Sequence, residues 1–229
     1  MSDESYKDAF RKPQEILALA KLSHTDKVLD VTTGYGYLAK RIVEYLENSN
    51  DSSAASASRT GPAVDVQNAS EWHGFFESVG IRKEIRAMEQ SGRIRHHWSP
   101  LAEPGLGKHS EYDLITMQNT YHDLYDMPVD RRVFLASIYR ALQPRGRFLL
   151  IDHKAAPGRG AQDAGANRGL HRIEERVVRQ ELEAAGFVVV TRSDLLAFPG
   201  DNHRSCAWTS PMKRTDRFVL LCEKASNGA

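Results

Sequence analysis

Two glycines separate a strand-like run from a helix-like run in the segment VLDVTTGYGYLAKRIVEYL (28–46). Gly34 and Gly36 follow Asp30 at the point where the pattern changes. Because glycines lack side chains, a ligand can approach the backbone there, and the N–H groups at a helix start attract electron-rich atoms. The segment therefore predicts a site for a nucleotide-like ligand, although a simple strand-to-helix connection would have the same letters.

A second carboxylate, Asp65, is expected to contribute to the same site. The segment PAVDVQ (62–67) predicts a second strand that ends near Asp65. An acidic residue in this position can accept hydrogen bonds from ribose hydroxyls. Asp65 lies further from the glycines than the usual spacing of about 20 residues. The extra length comes from a Ser- and Ala-rich stretch (48–61) that predicts a flexible surface loop.

Titratable and aromatic side chains cluster after the later predicted strands. They are Tyr121, His122 and Asp123 after the fourth strand, Asp152 and His153 at the end of the fifth, and His171 and Arg172 beyond a glycine-rich loop. Imidazoles and carboxylates can take a proton from a substrate, and arginine can bind an anionic group. Each residue also has a structural interpretation. His153 can bond to Asp152 or to the backbone, Asp123 can cap a helix, and an aromatic ring can pack in the core.

The same residues raise the question of a divalent metal, since imidazole and carboxylate groups are both metal ligands. The candidate ligands are His122, Asp123, Asp152, His153 and His171. Their spacing contains none of the tight motifs that mark a metal site in sequence. We therefore expect no metal.

The predicted elements alternate between strands and helices. Strands are expected over 27–31, 62–67, 93–99, 112–118, 146–153, 187–194 and 217–224, and helices over 5–22 (interrupted at Pro13), 37–47, 72–92, 129–142 and 173–186. This alternation predicts a Rossmann-like, doubly wound α/β fold with a seven-stranded, mostly parallel sheet and helices on both faces. No helix is expected between the last two strands, which predicts an antiparallel last strand. We divide the chain into an N-terminal helical cap (1–24) and a single domain (25–229).

Composition excludes several classes of protein. The 229 residues include 31 basic and 30 acidic side chains, so we expect no nucleic-acid partner. No apolar run approaches the roughly 20 residues that span a bilayer, and the polar N-terminus is unlike a signal peptide, so no membrane association is expected. Cys206 and Cys222 are far apart and form no metal or disulfide motif. A reducing, cytoplasmic location is expected, and a homodimer is left open.

The ordered motifs resemble those of class I S-adenosylmethionine-dependent methyltransferases. VLDVTTGYG resembles their first motif (usually VLDxGxGxG), YDLITMQNTYHDLYDM their fourth-strand segment, and LQPRGRFLLIDHKA their fifth-strand segment. The resemblance implies S-adenosylmethionine as cofactor and S-adenosylhomocysteine as product. Asp30, Gly34 and Gly36 would shape the methionine and ribose site, Asp65 would bind the ribose, and Gln118 and Asn119 would border the amino-acid end or the transferable methyl group. Thr32 replaces the first glycine of the motif, and its hydroxyl is an added candidate for cofactor binding.

The resulting hypothesis is a methyltransferase that acts on an O, N or S atom of a small molecule. His153 and His122 are the candidate bases, Tyr121 and Arg172 would position the acceptor, and His171 is included in the site. The alternative, motivated by Thr32, is a cofactor-binding protein of the same fold with a non-methylating or regulatory role. A nucleotide-dependent oxidoreductase is disfavoured because the turn lacks the full G-x-G-x-x-G spacing.

Overall fold

The computed structural model describes residues 5–48, 64–165, 169–209 and 214–225. Within these ranges, seven strands form one sheet: β1 (Val28–Val31), β2 (Val64–Ala69), β3 (Ile94–Ser99), β4 (Tyr112–Gln118), β5 (Leu142–His153), β6 (Phe187–Ser193) and β7 (Arg217–Lys224). The strand order is β3-β2-β1-β4-β5-β7-β6. β1 to β5 pair in parallel, and β7 runs antiparallel to both β5 and β6. The predicted fold class and the antiparallel last strand are confirmed.

The α-helices are α1 (Asp8–Arg11), α2 (Pro13–Leu19), α3 (Tyr37–Glu47), α4 (His73–Ser78), α5 (Ile81–Gln90), α6 (Arg131–Ala141) and α7 (Glu175–Ala184). Short 3₁₀ helices occur at Ser5–Lys7, Ser70–Trp72 and Tyr121–Asp126. The expected break at the N-terminus lies at Lys12, which has a left-handed φ of 45°, and Pro13 begins α2. The single helix predicted over 72–92 is divided, because Gly80 takes a φ of 80° between α4 and α5.

The core lies on both faces of the sheet because successive strand residues point to opposite sides. On one face, α6 and α7 cover β4, β5 and β7 through a cluster that includes Phe134, Ile138, Leu182, Ile115 and Phe148. On the other face, α2, α3 and α5 pack through a second cluster that includes Ile16, Leu17, Ile42, Ile85 and Leu149. No helix within the described ranges is long and apolar enough to cross a membrane.

The second strand differs from its prediction. β2 runs from Val64 to Ala69, so Asp65 lies near its start and the expectation that the strand ends there is wrong. All six residues are buried, including Gln67 and Asn68, whose side chains form hydrogen bonds that allow a polar pair to continue a buried strand. Apart from Asn48, the predicted flexible stretch (48–61) lies outside the described residues.

The strand ends that could contact a ligand lie together at one edge of the sheet. The carboxyl ends of β1, β4 and β5 meet there, with Gln118 paired to Ile151. Because β7 is antiparallel, its first residue, Arg217, pairs with the last residue of β5, His153. Ligands of open parallel sheets bind beyond this edge.

Candidate active site

A cleft of about 430 Å³ opens at the carboxyl ends of β1, β4 and β5. This volume lies within the roughly 300–1,000 Å³ of small-molecule sites. Its walls come from the turn after β1, the ends of β4 and β5, the start of β7 and the N-terminal segment, together with Ala207, Trp208 and Thr215. The predicted site residues that line it are Asp30, Thr32, Gly34, Gln118, Asn119 and His153.

Gly34 provides the open wall of the cleft. Its φ is 58°, and a Cβ added there would meet no atom within 4 Å among the described residues. The Gly34 N–H donates to Asn68 Oδ1 at 2.9 Å, and Asn68 Nδ2 donates back to Gly34 O at 3.3 Å. The side chain of Asn68 thus holds the glycine turn in the shape that leaves the backbone accessible.

Thr32 occupies a left-handed backbone conformation, with a φ of 51°. Such a φ is rare for a β-branched residue, which explains why the related motif has glycine there. Its N–H donates to Gln67 Oε1 at 3.0 Å, and its hydroxyl donates to Val31 O at 2.7 Å and lies against the Thr120 hydroxyl. These bonds hold Thr32 in a conformation that costs free energy.

Gly36 has a different role from Gly34. It has a φ of 76° and begins α3, and a Cβ there would lie 3.1 Å from Met88 Sδ and 3.2 Å from Ile85 Cδ1. The glycine therefore allows α3 to pack closely against α5. It lies beside a second depression rather than the cleft.

Asp30 and Asn119 present polar atoms at the cleft floor. The Asp30 carboxylate accepts hydrogen bonds from the hydroxyls of Thr33 and Thr116. Burial outweighs these bonds and raises the pKa of Asp30 to about 6. Asn119, with a φ of 59°, has a buried Oδ1 that no donor among the described residues reaches.

Asp65 is not brought to the cleft. It lies at the opposite end of β2, where His97 Nε2 is 3.0 Å from Oδ1 and Tyr112 donates to Oδ2 at 2.9 Å. Burial alone would raise its pKa, but the hydrogen bonds from His97 and Tyr112 lower the pKa of Asp65 below its usual value. Its observed role is to connect β2 with β3 and β4, which corrects the expected contact with ribose. The β2 side chain that reaches the glycine turn is Asn68.

His153 ends β5 and lines the cleft, half-buried. Its Nδ1 lies 2.6 Å from the Thr215 hydroxyl, and its backbone N–H donates to Asp152 Oδ1 at 2.7 Å. Desolvation, followed by the positive charges of His122 and Arg217, lowers the pKa of His153 well below its usual value. The imidazole is therefore neutral at pH 7, as a proton acceptor must be.

His122 lies one layer behind His153, with ring centroids 5.7 Å apart, and is fully buried. Its Nδ1 is 2.6 Å from Asp152 Oδ1, while Nε2 lies 3.1 Å from both His171 Nδ1 and Asp123 Oδ1. Burial alone would lower its pKa, but the two carboxylates outweigh burial and raise the pKa of His122 to about 10. His122 thus lies behind the cleft wall, and the structure does not bring it to the cleft as the expected base.

Two residues expected to position the acceptor are engaged elsewhere. Tyr121 is fully buried and donates to Glu181 Oε2 at 2.7 Å on α7. Arg172 is also fully buried, makes a two-point contact with Asp201 at 2.8 and 3.1 Å, and donates to the backbone of Ser205. Among the described residues that line the cleft, neither Tyr121 nor Arg172 is present. Tyr121 packs the core, and Arg172 fastens the loop that precedes β7.

Several residues of the cleft wall were not among the predicted site residues. Arg217 has only 3% of its surface exposed, and its Nε has no hydrogen-bond acceptor among the described residues. Burial and the nearby Arg11 lower its pKa to about 9, so it stays charged at pH 7. Trp208 and Thr215 also line the cleft. The signal for Arg217 was the antiparallel last strand, whose first residue must lie beside the end of β5.

The N-terminal segment contributes Tyr6, Phe10 and Arg11 to the cleft. Asp8 fastens this segment to α3, because it accepts from the Tyr37 hydroxyl at 2.6 Å and pairs with Arg41 at 2.9 Å. The segment thereby forms one wall of the cleft.

Comparison with known proteins agrees with this architecture. The structure resembles an S-adenosylmethionine-dependent methyltransferase from Aquifex aeolicus, with a TM-score of 0.63 at 18% identity over 97% of this chain and 94% of that one. It also resembles a methyltransferase from Methanosarcina mazei (TM-score 0.58, 14% identity, 91% and 97% coverage). A third is the 1,6-didemethyltoxoflavin-N1-methyltransferase of Burkholderia thailandensis, solved with S-adenosylhomocysteine (TM-score 0.57, 18% identity, 97% and 81% coverage). At these identities the likeness concerns the fold.

The family of the chain is shown by a match to a family model. A search of curated proteins finds no match to the chain. A family model described as a methyltransferase domain matches residues 5–192, which is more than half of the 229 residues. The chain therefore belongs to the methyltransferase-domain family, and its predicted identification as a class I S-adenosylmethionine-dependent methyltransferase is confirmed.

Proposed function

We propose that the cleft transfers a methyl group from S-adenosylmethionine to an O, N or S atom of a small molecule, with His153 as the base. The observation that carries this proposal is the position of His153, a neutral imidazole on the same cleft wall as the glycine turn and the strand ends. The cofactor supplies an electrophilic methyl group on a sulfonium. The protein's residues align the acceptor and remove its proton.

Asp30, Gly34 and Asn119 are the residues proposed to hold the cofactor. Gly34 leaves the backbone open, while Asp30 and Asn119, whose side-chain oxygens are buried, belong to the residues that line the cleft and are the proposed acceptors for an ammonium group. Gln118 lies next to Asn119 at the end of β4 and borders the same end. Asn68, through its two bonds to Gly34, keeps the turn open.

Deprotonation of the acceptor is assigned to His153. When Nδ1 donates to the Thr215 hydroxyl, Nε2 carries the lone pair that accepts a proton. Arg217, buried beside it with an unsatisfied Nε, offers a hydrogen bond to a negative group in the cleft.

A small acceptor suits the volume of the cleft, about 430 Å³. The N-terminal segment and Trp208 line it, and the chain's net charge of +1 provides no general attraction for a nucleic acid. The named N1-methyltransferase of Burkholderia thailandensis, which shares the fold, also acts on a small molecule.

The test compares His153→Gln with His109→Gln, a matched change at an exposed histidine. Product S-adenosylhomocysteine is measured with a panel of small phenols, amines and thiols. We expect His153→Gln to lower kcat about 100-fold or more on any accepted compound while the affinity for S-adenosylhomocysteine stays unchanged. An unchanged kcat would contradict the assignment of the base. Tight cofactor binding without turnover on the whole panel would favour the non-methylating alternative.

A further inference from the structure

Behind the cleft wall, three side chains bring one ligand atom each to a common point. His122 Nε2, Asp123 Oδ1 and His171 Nδ1 form a triangle with edges of 3.1, 3.1 and 2.9 Å. His122 is fully buried, and the Asp123 and His171 side chains are 13% and 12% exposed. These three side chains lie beside the proposed reaction site, since the ring centroids of His171 and the cleft residue Trp208 are 5.9 Å apart.

The size of the triangle suits a single metal ion. Edges of 3.1, 3.1 and 2.9 Å give a circumscribed radius of about 1.8 Å. This radius is shorter than the roughly 2.0–2.2 Å bonds that a divalent transition metal makes to imidazole nitrogen and carboxylate oxygen. One ion can therefore reach all three atoms from just outside their plane.

The surroundings of His122 match those of a metal ligand. A metal-bound histidine usually donates its other ring N–H to a carboxylate, which fixes the tautomer and orients the ring. His122 Nδ1 lies 2.6 Å from Asp152 Oδ1, and the other oxygen of Asp152 accepts the backbone N–H of His122. Asp152 is itself fully buried. Nε2 is then the ring atom left to bind an ion, which would displace the proton that the two neighbouring carboxylates favour on this imidazole.

Two further features point to a ligand at the same place. Asp123 Oδ1 is buried and receives no aligned hydrogen bond from any described residue, although two imidazole nitrogens are close to it. His171 takes a left-handed φ of 54°, a costly conformation for a residue with a side chain. Strained backbone of this kind is concentrated at sites that bind or react.

We propose that His122, Asp123 and His171 form a binding site for a divalent transition-metal ion of the zinc, cobalt or iron class. Two imidazoles and one carboxylate favour these ions over magnesium and calcium, which prefer oxygen ligands. The ion would join the Tyr121–Asp126 segment after β4 to the loop that precedes α7. It would thereby hold the wall that carries His153 and Trp208. This proposal replaces our expectation that no metal binds, and it does not depend on methyl transfer.

The test uses tag-free full-length protein that has been treated with a chelator and then titrated with Zn²⁺ by calorimetry and with Co²⁺ by visible absorption. The two variants are His171→Asn, because asparagine tolerates the left-handed backbone, and Asp123→Asn, which keeps the side-chain volume. His109→Asn, at an exposed histidine, is the matched control. Circular dichroism checks that each variant is folded.

We expect one Zn²⁺ per chain for the wild type and the control, with at least a tenfold weaker affinity in both ligand variants. Co²⁺ should give d–d absorption bands with the chelator-treated wild type and control. Adding Zn²⁺, which occupies the same site, should remove these bands. Zn²⁺ should also raise the melting temperature of the wild type and the control but not of the two ligand variants. Absence of stoichiometric binding to the wild type, or equal binding by the wild type and His171→Asn, would overturn the proposal.

Discussion

Thr32 stands where the backbone conformation costs a β-branched residue free energy, and its own hydrogen bonds compensate for that cost. A residue held in a sparsely populated conformation costs roughly 1–3 kcal/mol, and each hydrogen bond contributes about 1 kcal/mol. The hydroxyl is therefore as important as the backbone shape. This balance explains how the turn keeps its form without the first glycine of the motif.

Two substitutions separate these contributions. Thr32→Val keeps the strained conformation and loses the hydroxyl bonds, whereas Thr32→Gly loses the bonds but relieves the strain. We expect the Val variant to be less stable than the Gly variant by about 1–3 kcal/mol, measured as the free energy of unfolding in urea. A Val variant as stable as the Gly variant would show that Thr32 is not strained.

Asp30 is expected to lower the stability of the free protein at neutral pH. Burial raises its folded-state pKa to about 6 from 3.8, so the folded protein binds the proton more tightly than the unfolded chain does. The stability from this group is fully present below pH 3.8 and is lost as the pH rises through about 6. A functional carboxylate would have such a cost, because an ammonium ligand would need its charged form.

Asp30→Asn tests this cost. Relative to wild type, the variant should gain stability as the pH rises, by about 1.5 kcal/mol between pH 5 and pH 8. The same variant should bind S-adenosylmethionine more weakly at pH 8. Asp194→Asn, at an exposed carboxylate, serves as the control. A stability difference that does not change with pH would contradict the raised pKa of the buried Asp30 carboxyl.

At the level of elements, the N-terminal segment depends on one carboxylate for its position against α3. Asp8 receives hydrogen bonds from Tyr37 and Arg41, and this fixes the segment that brings Phe10 and Arg11 to the cleft. Phe10 O in turn accepts from Arg217 Nη2 at 2.8 Å. The segment is thus joined to both α3 and β7.

Removing the charge of Asp8 should loosen this wall. We expect Asp8→Asn to release bound S-adenosylhomocysteine about 3- to 10-fold faster, because a charge-assisted hydrogen bond is roughly twice as strong as a neutral one. Stopped-flow displacement measures the rate, and Glu15→Gln, on an exposed position of α2, is the matched control. If the release rate is the same in both variants, the segment does not retain the ligand.

The elements themselves were largely predictable, for physical reasons. Continuous apolar runs such as those in β1 and β5 indicate strands buried on both faces, and the missing helix before β7 indicated an antiparallel end. The end of β2 was not predictable from polarity, because Gln67 and Asn68 are buried polar residues whose partners lie about 35 positions away. Strand extent there depends on those tertiary bonds.

At the level of the whole molecule, the predicted site residues that lie at strand ends line the cleft, whereas several whose side chains bind distant partners do not. Gly34, Asn119 and His153 line the cleft because each lies at or just beyond the end of a parallel strand. Tyr121 and Arg172 have the residue types of a site, yet they bind Glu181 and Asp201, which no local pattern reveals. The contact between His122 and His171 could not be predicted either, because it depends on how the loop that carries His171 folds.

The assignment of the cleft requires that the open face of Gly34 admit S-adenosylmethionine and its product S-adenosylhomocysteine. Calorimetric titration with S-adenosylhomocysteine tests it most directly, using Gly34→Arg and, as a matched control, Gly92→Arg, a left-handed glycine that also has open space around it. We expect one binding site per chain in the wild type and in Gly92→Arg, and at least a 100-fold loss of affinity in Gly34→Arg. A wild type that does not bind S-adenosylhomocysteine, or a Gly34→Arg variant that binds it as the wild type does, would refute the cofactor site at Gly34.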